Sequence, residues 1–119
     1  MKYLKNFNES LLYWGVDEEE FNTGGLVIEM SDSFVEKIRD LLLPGFSLSK
    51  FSRRYNYVTI SYVGEFYVDI FLFDDEWFYV EYLDTRDPSY GGTMFNSTYY
   101  KCDGEEGLFK FLKDEKITS

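Results

Sequence analysis

Three consecutive segments in the middle of this chain, 55–63, 66–73 and 77–83, carry an apolar set at every second position: Val58, Ile60 and Tyr62, then Val68, Ile70 and Leu72, then Phe78, Val80 and Tyr82. Only Gly64-Glu65 and Asp74-Asp75-Glu76 separate them. A period of two marks a strand with one buried face, and connections this short join antiparallel neighbours. The middle of the chain is thereby committed to an antiparallel β-meander, and the other segments must pack around it.

The turns set the register. If Asp74-Asp75-Glu76 forms a three-residue loop, Phe73 faces Trp77, Leu72 faces Phe78, Ile70 faces Val80 and Val68 faces Tyr82. Val68, Ile70, Leu72, Phe78, Val80 and Tyr82 then share a core face, because side chains two apart point the same way. In the first hairpin, a two-residue loop at Gly64-Glu65 turns Val58 and Ile60 away from that face. A three-residue loop, or a bulge at Gly64, returns Val58, Ile60 and Tyr62 to it. Each such side chain gains roughly 1.5–3 kcal/mol on burial, so the bulged version is preferred over ideal turn type.

The opposite face then reads in rows. Tyr57, Phe71 and Tyr79 form one row, and Thr59, Asp69 and Glu81 the next. Ser61 and Tyr67 lie beyond, while Phe73 and Trp77 lie toward the acidic turn. Asp69 opposite Glu81 places like charges on neighbouring strands, which is destabilising. A counter-ion from Arg53, Arg54, Lys110 or Lys113, a shared proton, plain exposure to water, or an external cation would each resolve it. The external cation defines a candidate binding site: Tyr57, Asp69, Phe71, Trp77, Tyr79 and Glu81, carboxylates framed by aromatics. Such a frame suits a lysine, an arginine or a quaternary ammonium through ionic and cation–π contact.

The flanking segments supply helices. Residues 2–14 carry Leu4, Phe7 and Leu11 on one stripe, with Tyr3 and Trp14 near it, which predicts an amphipathic helix. Asp17 to Glu20 read as a solvated acidic run before the turn signal Asn22-Thr23-Gly24-Gly25, and Leu26 to Ile28 as a short strand. A helix over about 33–43 is predicted from a capping box of Ser33 and Glu36 and from the spacing of Phe34, Ile38, Leu41 and Leu42; Pro44-Gly45 stops it. Phe46 to Arg54 alternate with serines and suit an edge strand. Residues 84–96, containing Pro88, Gly91 and Gly92, read as a long loop, and 98–102 as a further strand. Asp103 then caps a last helix, buried through Leu108, Phe109 and Leu112, with Phe111 widening the stripe. The expected fold class is α+β: an antiparallel meander of four to five strands packed with two to three helices, in a single domain over 1–119.

Composition bounds the chemistry. The chain has 119 residues, 22 acidic and 12 basic, for a net charge of −10. Residues 55–100 hold one basic side chain, Arg86, against eight acidic ones. Phosphate backbones demand a basic face, so neither nucleic acid nor an anionic membrane is the expected partner. No apolar run approaches the ~20 residues of a membrane span, and residues 1–10 lack the apolar core of a secretory signal. One cysteine excludes an internal disulfide, and a reducing cytoplasm is the expected compartment. There is no histidine, so the usual general base near pH 7 and every Ser-His or Cys-His pair are missing. Cys102, beside Asp103 and near Glu105 and Glu106, is expected to pack rather than react. No cofactor is implied. No metal is implied either: one thiol without imidazole does not make a zinc site, and Asp74-Asp75-Glu76 lacks the spacing of an EF-hand loop. Gly24-Gly25 and Gly91-Gly92 lack the Lys-Ser/Thr continuation of a phosphate loop. A carboxylate-only hydrolase using Asp69 and Glu81 at the short separation of a retaining glycosidase ranks last.

The opening Met1-Lys2-Tyr3-Leu4-Lys5-Asn6-Phe7-Asn8-Glu9-Ser10 resembles the short leaders on small proteins of large tailed bacteriophages. That resemblance implies delivery into the prohead and a cut between Glu9 and Ser10, with Phe7 standing where the pattern has leucine or isoleucine. Tyr99-Tyr100-Lys101-Cys102-Asp103 with Gly107-Leu108-Phe109-Lys110-Phe111-Leu112 is also similar to uncharacterised small phage-type proteins. The leading expectation is a non-enzymatic accessory protein in the bacterial cytoplasm that binds another protein with a basic surface, through its acidic, aromatic sheet face or the 84–96 loop. One alternative is a virion- or prohead-internal protein delivered by its leader. Another is an inhibitor of host defence whose carboxylates stand in for nucleic-acid phosphates.

Overall fold

A computed structural model describes residues 12–51, 56–62, 66–74, 76–84 and 97–119. The elements in chain order are β1 (Tyr13–Val16), α1 (Glu18–Asn22), β2 (Val27–Ile28), α2 (Asp32–Leu41), β3 (Phe46–Phe51), β4 (Tyr57–Tyr62), β5 (Phe66–Phe73), β6 (Phe78–Asp84), β7 (Thr98–Cys102) and α3 (Gly104–Asp114). The fold is α+β, with one antiparallel sheet of seven strands rather than four to five. The strands run β1-β7-β6-β5-β4-β3, and β2 pairs with the end of β5.

The meander has the register that parity requires. Val58 pairs with Ile70, Ile60 with Val68 and Tyr62 with Phe66, leaving three residues, 63–65, between β4 and β5. Gly64 itself lies outside the described residues. Ile70 pairs with Val80, Val68 with Tyr82 and Leu72 with Phe78. The second hairpin closes through Phe73 N–H to the Trp77 carbonyl and Glu76 N–H to the Phe73 carbonyl, both at 2.9 Å. Glu76 takes φ 67° there, a left-handed position that glycine would fill without strain.

The additional strands come from the flanks. Tyr13 and Trp14 belong to β1, not to a helix, and pair with Cys102 and Lys101 of β7. Residues 2–11 of the predicted helix, with Leu4, Phe7 and Leu11, lie outside the described residues. The acidic run at 17–20 faces water and begins α1; Asp17 caps it, its Oδ1 accepting from Glu20 N–H at 2.8 Å. Phe46–Phe51 does form the edge strand β3, and Val27–Ile28 the short strand β2.

Helix α2 starts two residues earlier than its capping box predicts. Ser31, not Ser33, is the N-cap, with Oγ accepting from Phe34 N–H at 3.2 Å. Phe34, Val35 and Ile38 of α2 are buried, whereas Leu41 remains exposed. Helix α3 buries Leu108, Phe111 and Leu112; Phe111 is central and Phe109 sits on the rim. Asp103 is its N-cap without a side-chain cap hydrogen bond. The helix ends in a Schellman pattern, with Lys116 N–H on the Lys113 carbonyl (3.0 Å) and Ile117 N–H on that of Leu112 (2.9 Å). Ile117 is fully buried, and its neighbour Thr118 bridges Leu42 at the end of α2.

Both α2 and α3 pack on the same sheet face. The core joins Phe34, Val35 and Ile38 to Val58, Ile60, Val68, Ile70, Phe78 and Val80, then to Leu108, Phe111 and Leu112. Cys102 is buried within it. Burial pushes its thiol well above the ordinary range, so packing and not the nearby carboxylates makes it inert. The opposite sheet face is left to the short helix α1.

Candidate functional site

The pairing extends each predicted row of that second face across the sheet. One row runs Trp14, Lys101, Tyr79, Phe71, and continues through Tyr57 to Phe51. The next runs Val16, Tyr99, Glu81, Asp69, Thr59, Ser49. Asp69 and Glu81 are direct cross-strand partners.

Hydroxyls flank the two carboxylates. Thr59 Oγ1 donates to Asp69 at 2.8 Å. Ser97 Oγ donates to Glu81 at 2.7 Å, and Tyr99 OH reaches it at 3.4 Å. No ion pair to either carboxylate forms among the described residues. Lys110 is held by Asp114 at 3.1 Å on α3, against the other face, and Lys113 is on the same helix. Arg53 and Arg54 lie outside the described residues. Asp69 is half-buried, and burial holds its carboxyl above the ordinary carboxylate range. The charge of Glu81 adds to that rise, and the Thr59 hydrogen bond partly reverses it. Burial also raises the Tyr99 phenol, with the charges of Glu81 and Glu18 next in size.

The aromatic row divides into two halves. Phe51, Tyr57 and Phe71 stack as a ladder with centroids 5.0 and 5.5 Å apart, and Phe51 is 46% exposed at the sheet edge. On the other half, Phe21 of α1 sits over Phe71 (5.2 Å), Phe73 (6.2 Å), Tyr79 (5.9 Å) and Tyr99 (4.8 Å). Tyr79 is consequently only 2% exposed. Trp77 lies at the far end, 5.6 Å from Trp14, with the Lys101 ammonium 4.5 Å over its ring. Lys101 also reaches Glu20 at 3.9 Å. Of the six residues singled out from the sequence, Tyr57, Asp69, Phe71 and Glu81 therefore form one half-buried patch. Tyr79 lies beneath Phe21, and Trp77 belongs to a separate cluster.

Three participants escaped the sequence reading. Ser97 and Tyr99 require the β6–β7 register, which the 84–96 loop hides because its length fixes no turn type. Phe21 had a local signal: Asp17 followed three residues later by Glu20, the spacing of a capping box, just before an aromatic residue. The predicted cut at Glu9-Ser10 and the 85–96 part of the loop lie outside the described residues. Among the described residues, no three Cys, Asp or Glu side chains converge as a metal site, and no helix is long and apolar enough to cross a membrane. No protein-family model, curated protein or solved structure matches the chain.

Proposed function

We propose that this chain is a non-enzymatic protein-binding module whose second sheet face takes a basic segment of a partner protein. One observation carries the reading: half-buried Asp69 stands directly opposite Glu81, and hydroxyl groups hold the pair without a cation among the described residues. Two carboxylates so placed raise the energy of the isolated protein, and a lysine or arginine between them removes that cost. The ladder of Phe51, Tyr57 and Phe71 in the adjacent row gives the stem of such a side chain, or an aromatic neighbour, a surface to lie on. The net charge of −10 draws a basic partner from a distance. A lone thiol shut in the core and a chain without histidine favour binding over catalysis. The two phage-like sequence stretches support reading this module as a phage-type accessory protein of the bacterial cytoplasm.

The test is a titration of the full chain with the tripeptide acetyl-Lys-Phe-Lys-amide against acetyl-Glu-Phe-Glu-amide, at low and high salt. The basic peptide is expected to bind at low salt and weaken as salt rises, and the acidic one not to bind. Equal binding of the two peptides, or no binding of the basic one, overturns the reading.

A further inference from the structure

The aromatic row of the second face continues beneath α1. Phe51, Tyr57 and Phe71 lead directly to Tyr79, and Phe21 is the ring that closes over that continuation. None of the α1 residues is buried, and Glu18, Glu19, Glu20 and Asn22 all face water. The backbone hydrogen bonds of residues 17–24 are internal: Phe21 to Asp17, Thr23 to Glu19 and Gly24 to Phe21. The sheet is rejoined only where Asp74 N–H meets the Leu26 carbonyl at 2.8 Å. Lifting the segment between Val16 of β1 and Leu26 thus breaks none of these sheet hydrogen bonds. It releases the Phe21 side chain, the close approach of Gly24 to the Phe73 ring, and the 3.9 Å ion pair of Glu20 with Lys101, whose ammonium stays 5.5 Å from the Tyr79 ring. Gly24 and Gly25 follow directly, with Gly25 at φ 128°, so the chain can change direction there at little cost.

We propose that residues 17–25 form a displaceable cover that seats Phe21 where an aromatic side chain of the partner binds. For the identity of what displaces it, this rests on the reading above: a basic segment carrying an aromatic residue. The cover suits that occupant in charge as well as shape. Asp17, Glu18, Glu19 and Glu20 sit on the lifted segment, and Asp69 and Glu81 stay on the sheet, so the incoming basic residues meet carboxylates from both sides. Closed, the cover shields Phe73 and Tyr79 from water. Open, it extends the binding face from the Phe51–Tyr57–Phe71 ladder to Tyr79 and Tyr99.

Two measurements on the full chain decide it. In native-state hydrogen exchange, the amides of Phe21, Thr23 and Gly24 are expected to exchange on the order of 100-fold faster than those of Ile70 and Val80, with little denaturant dependence. Exchange of both sets through one common opening overturns the cover. In the second measurement, Phe21→Ala removes the competing ring and is expected to tighten binding of acetyl-Lys-Phe-Lys-amide roughly tenfold, since the apparent Kd is the intrinsic Kd divided by the fraction of open protein. Unchanged or weaker binding overturns the competition. A peptide that binds neither protein overturns the site reading, and the exchange experiment, which uses no ligand, then judges the cover by itself.

Discussion

Replacing Asp69 with asparagine is expected to stabilise this protein, and the gain is expected to depend on pH. Asp69 accepts a hydrogen bond from Thr59 at 2.8 Å, faces Glu81 across the β5–β6 pair and is half-buried. Asparagine keeps an oxygen for Thr59 but carries no charge, so it loses only the ionic share of that bond. Burial and the Glu81 charge oppose the ionised form, and together they outweigh Thr59, because the carboxyl is held above its ordinary 3.8. Cross-strand charge effects are worth about 0.2–1 kcal/mol. Partial burial adds to this and solvent screening limits it, so Asp69→Asn gains about 0.5–1 kcal/mol at pH 7. A folded-state value above the unfolded one means that the folded protein holds the proton more tightly. Wild-type stability is therefore greatest, relative to the variant, below pH 3.8, where Asp69 is protonated in both states. It falls as pH rises from there through the raised folded value, and the gap then stays constant to neutrality. With a urea slope of about 1.5 kcal/mol per M, the variant's midpoint at pH 7 lies roughly 0.3–0.7 M above wild type. At pH 3.5 the two midpoints should nearly coincide. A variant less stable than wild type at pH 7, or a gap independent of pH, refutes the account of this carboxylate.

Four further substitutions test the fold around the site. Ser31→Ala should cost about 1 kcal/mol by chemical denaturation and Ser33→Ala only a few tenths, since Ser31 is the N-cap of α2; equal losses would contradict that assignment. Glu76→Gly should stabilise by about 0.5–1 kcal/mol, because it relieves a left-handed residue in the β5–β6 loop, and a loss of stability would mean that the glutamate side chain matters more than its backbone. Gly107→Ala should destabilise by more than about 1 kcal/mol and raise hydrogen exchange in β1 first, because its new methyl group would run into the Leu12 carbonyl; a neutral substitution would contradict the close approach of α3 to the chain entering β1.

The legibility of this fold in its sequence follows the range of each interaction. The meander could be read because parity couples neighbouring strands: placing Val58 and Ile60 on the side of Ile70 and Val68 requires three residues between β4 and β5, as their pairing has it. The Asp69–Glu81 pair followed from the same register. Strand β1 could not be read this way. Tyr13 to Val16 are four residues whose partner strand lies at 98–102, and the helical spacing of Leu4, Phe7 and Leu11 extends into them. The N-cap of α2 is Ser31 and not Ser33, although only Ser33 has a glutamate three residues on. At the site, the carboxylates and their aromatic row were visible, and the hydroxyls of Ser97 and Tyr99 were not, because a long connection separates β6 from β7. Phe21 was obscured by the acidic residues before it, which are solvated and also begin a helix.

In the proposed function, Asp69 and Glu81 sacrifice stability to keep a cation site on the second sheet face. Residue-resolved amide shift mapping of acetyl-Lys-Phe-Lys-amide on wild type and on the Asp69→Asn, Glu81→Gln double variant tests it most directly. The account predicts wild-type shifts concentrated at Thr59, Asp69, Glu81 and Tyr99, and their loss in a double variant that is at least as stable as wild type. The same shifts persisting in the double variant, or shifts spread over the acidic surface of both proteins, would contradict it.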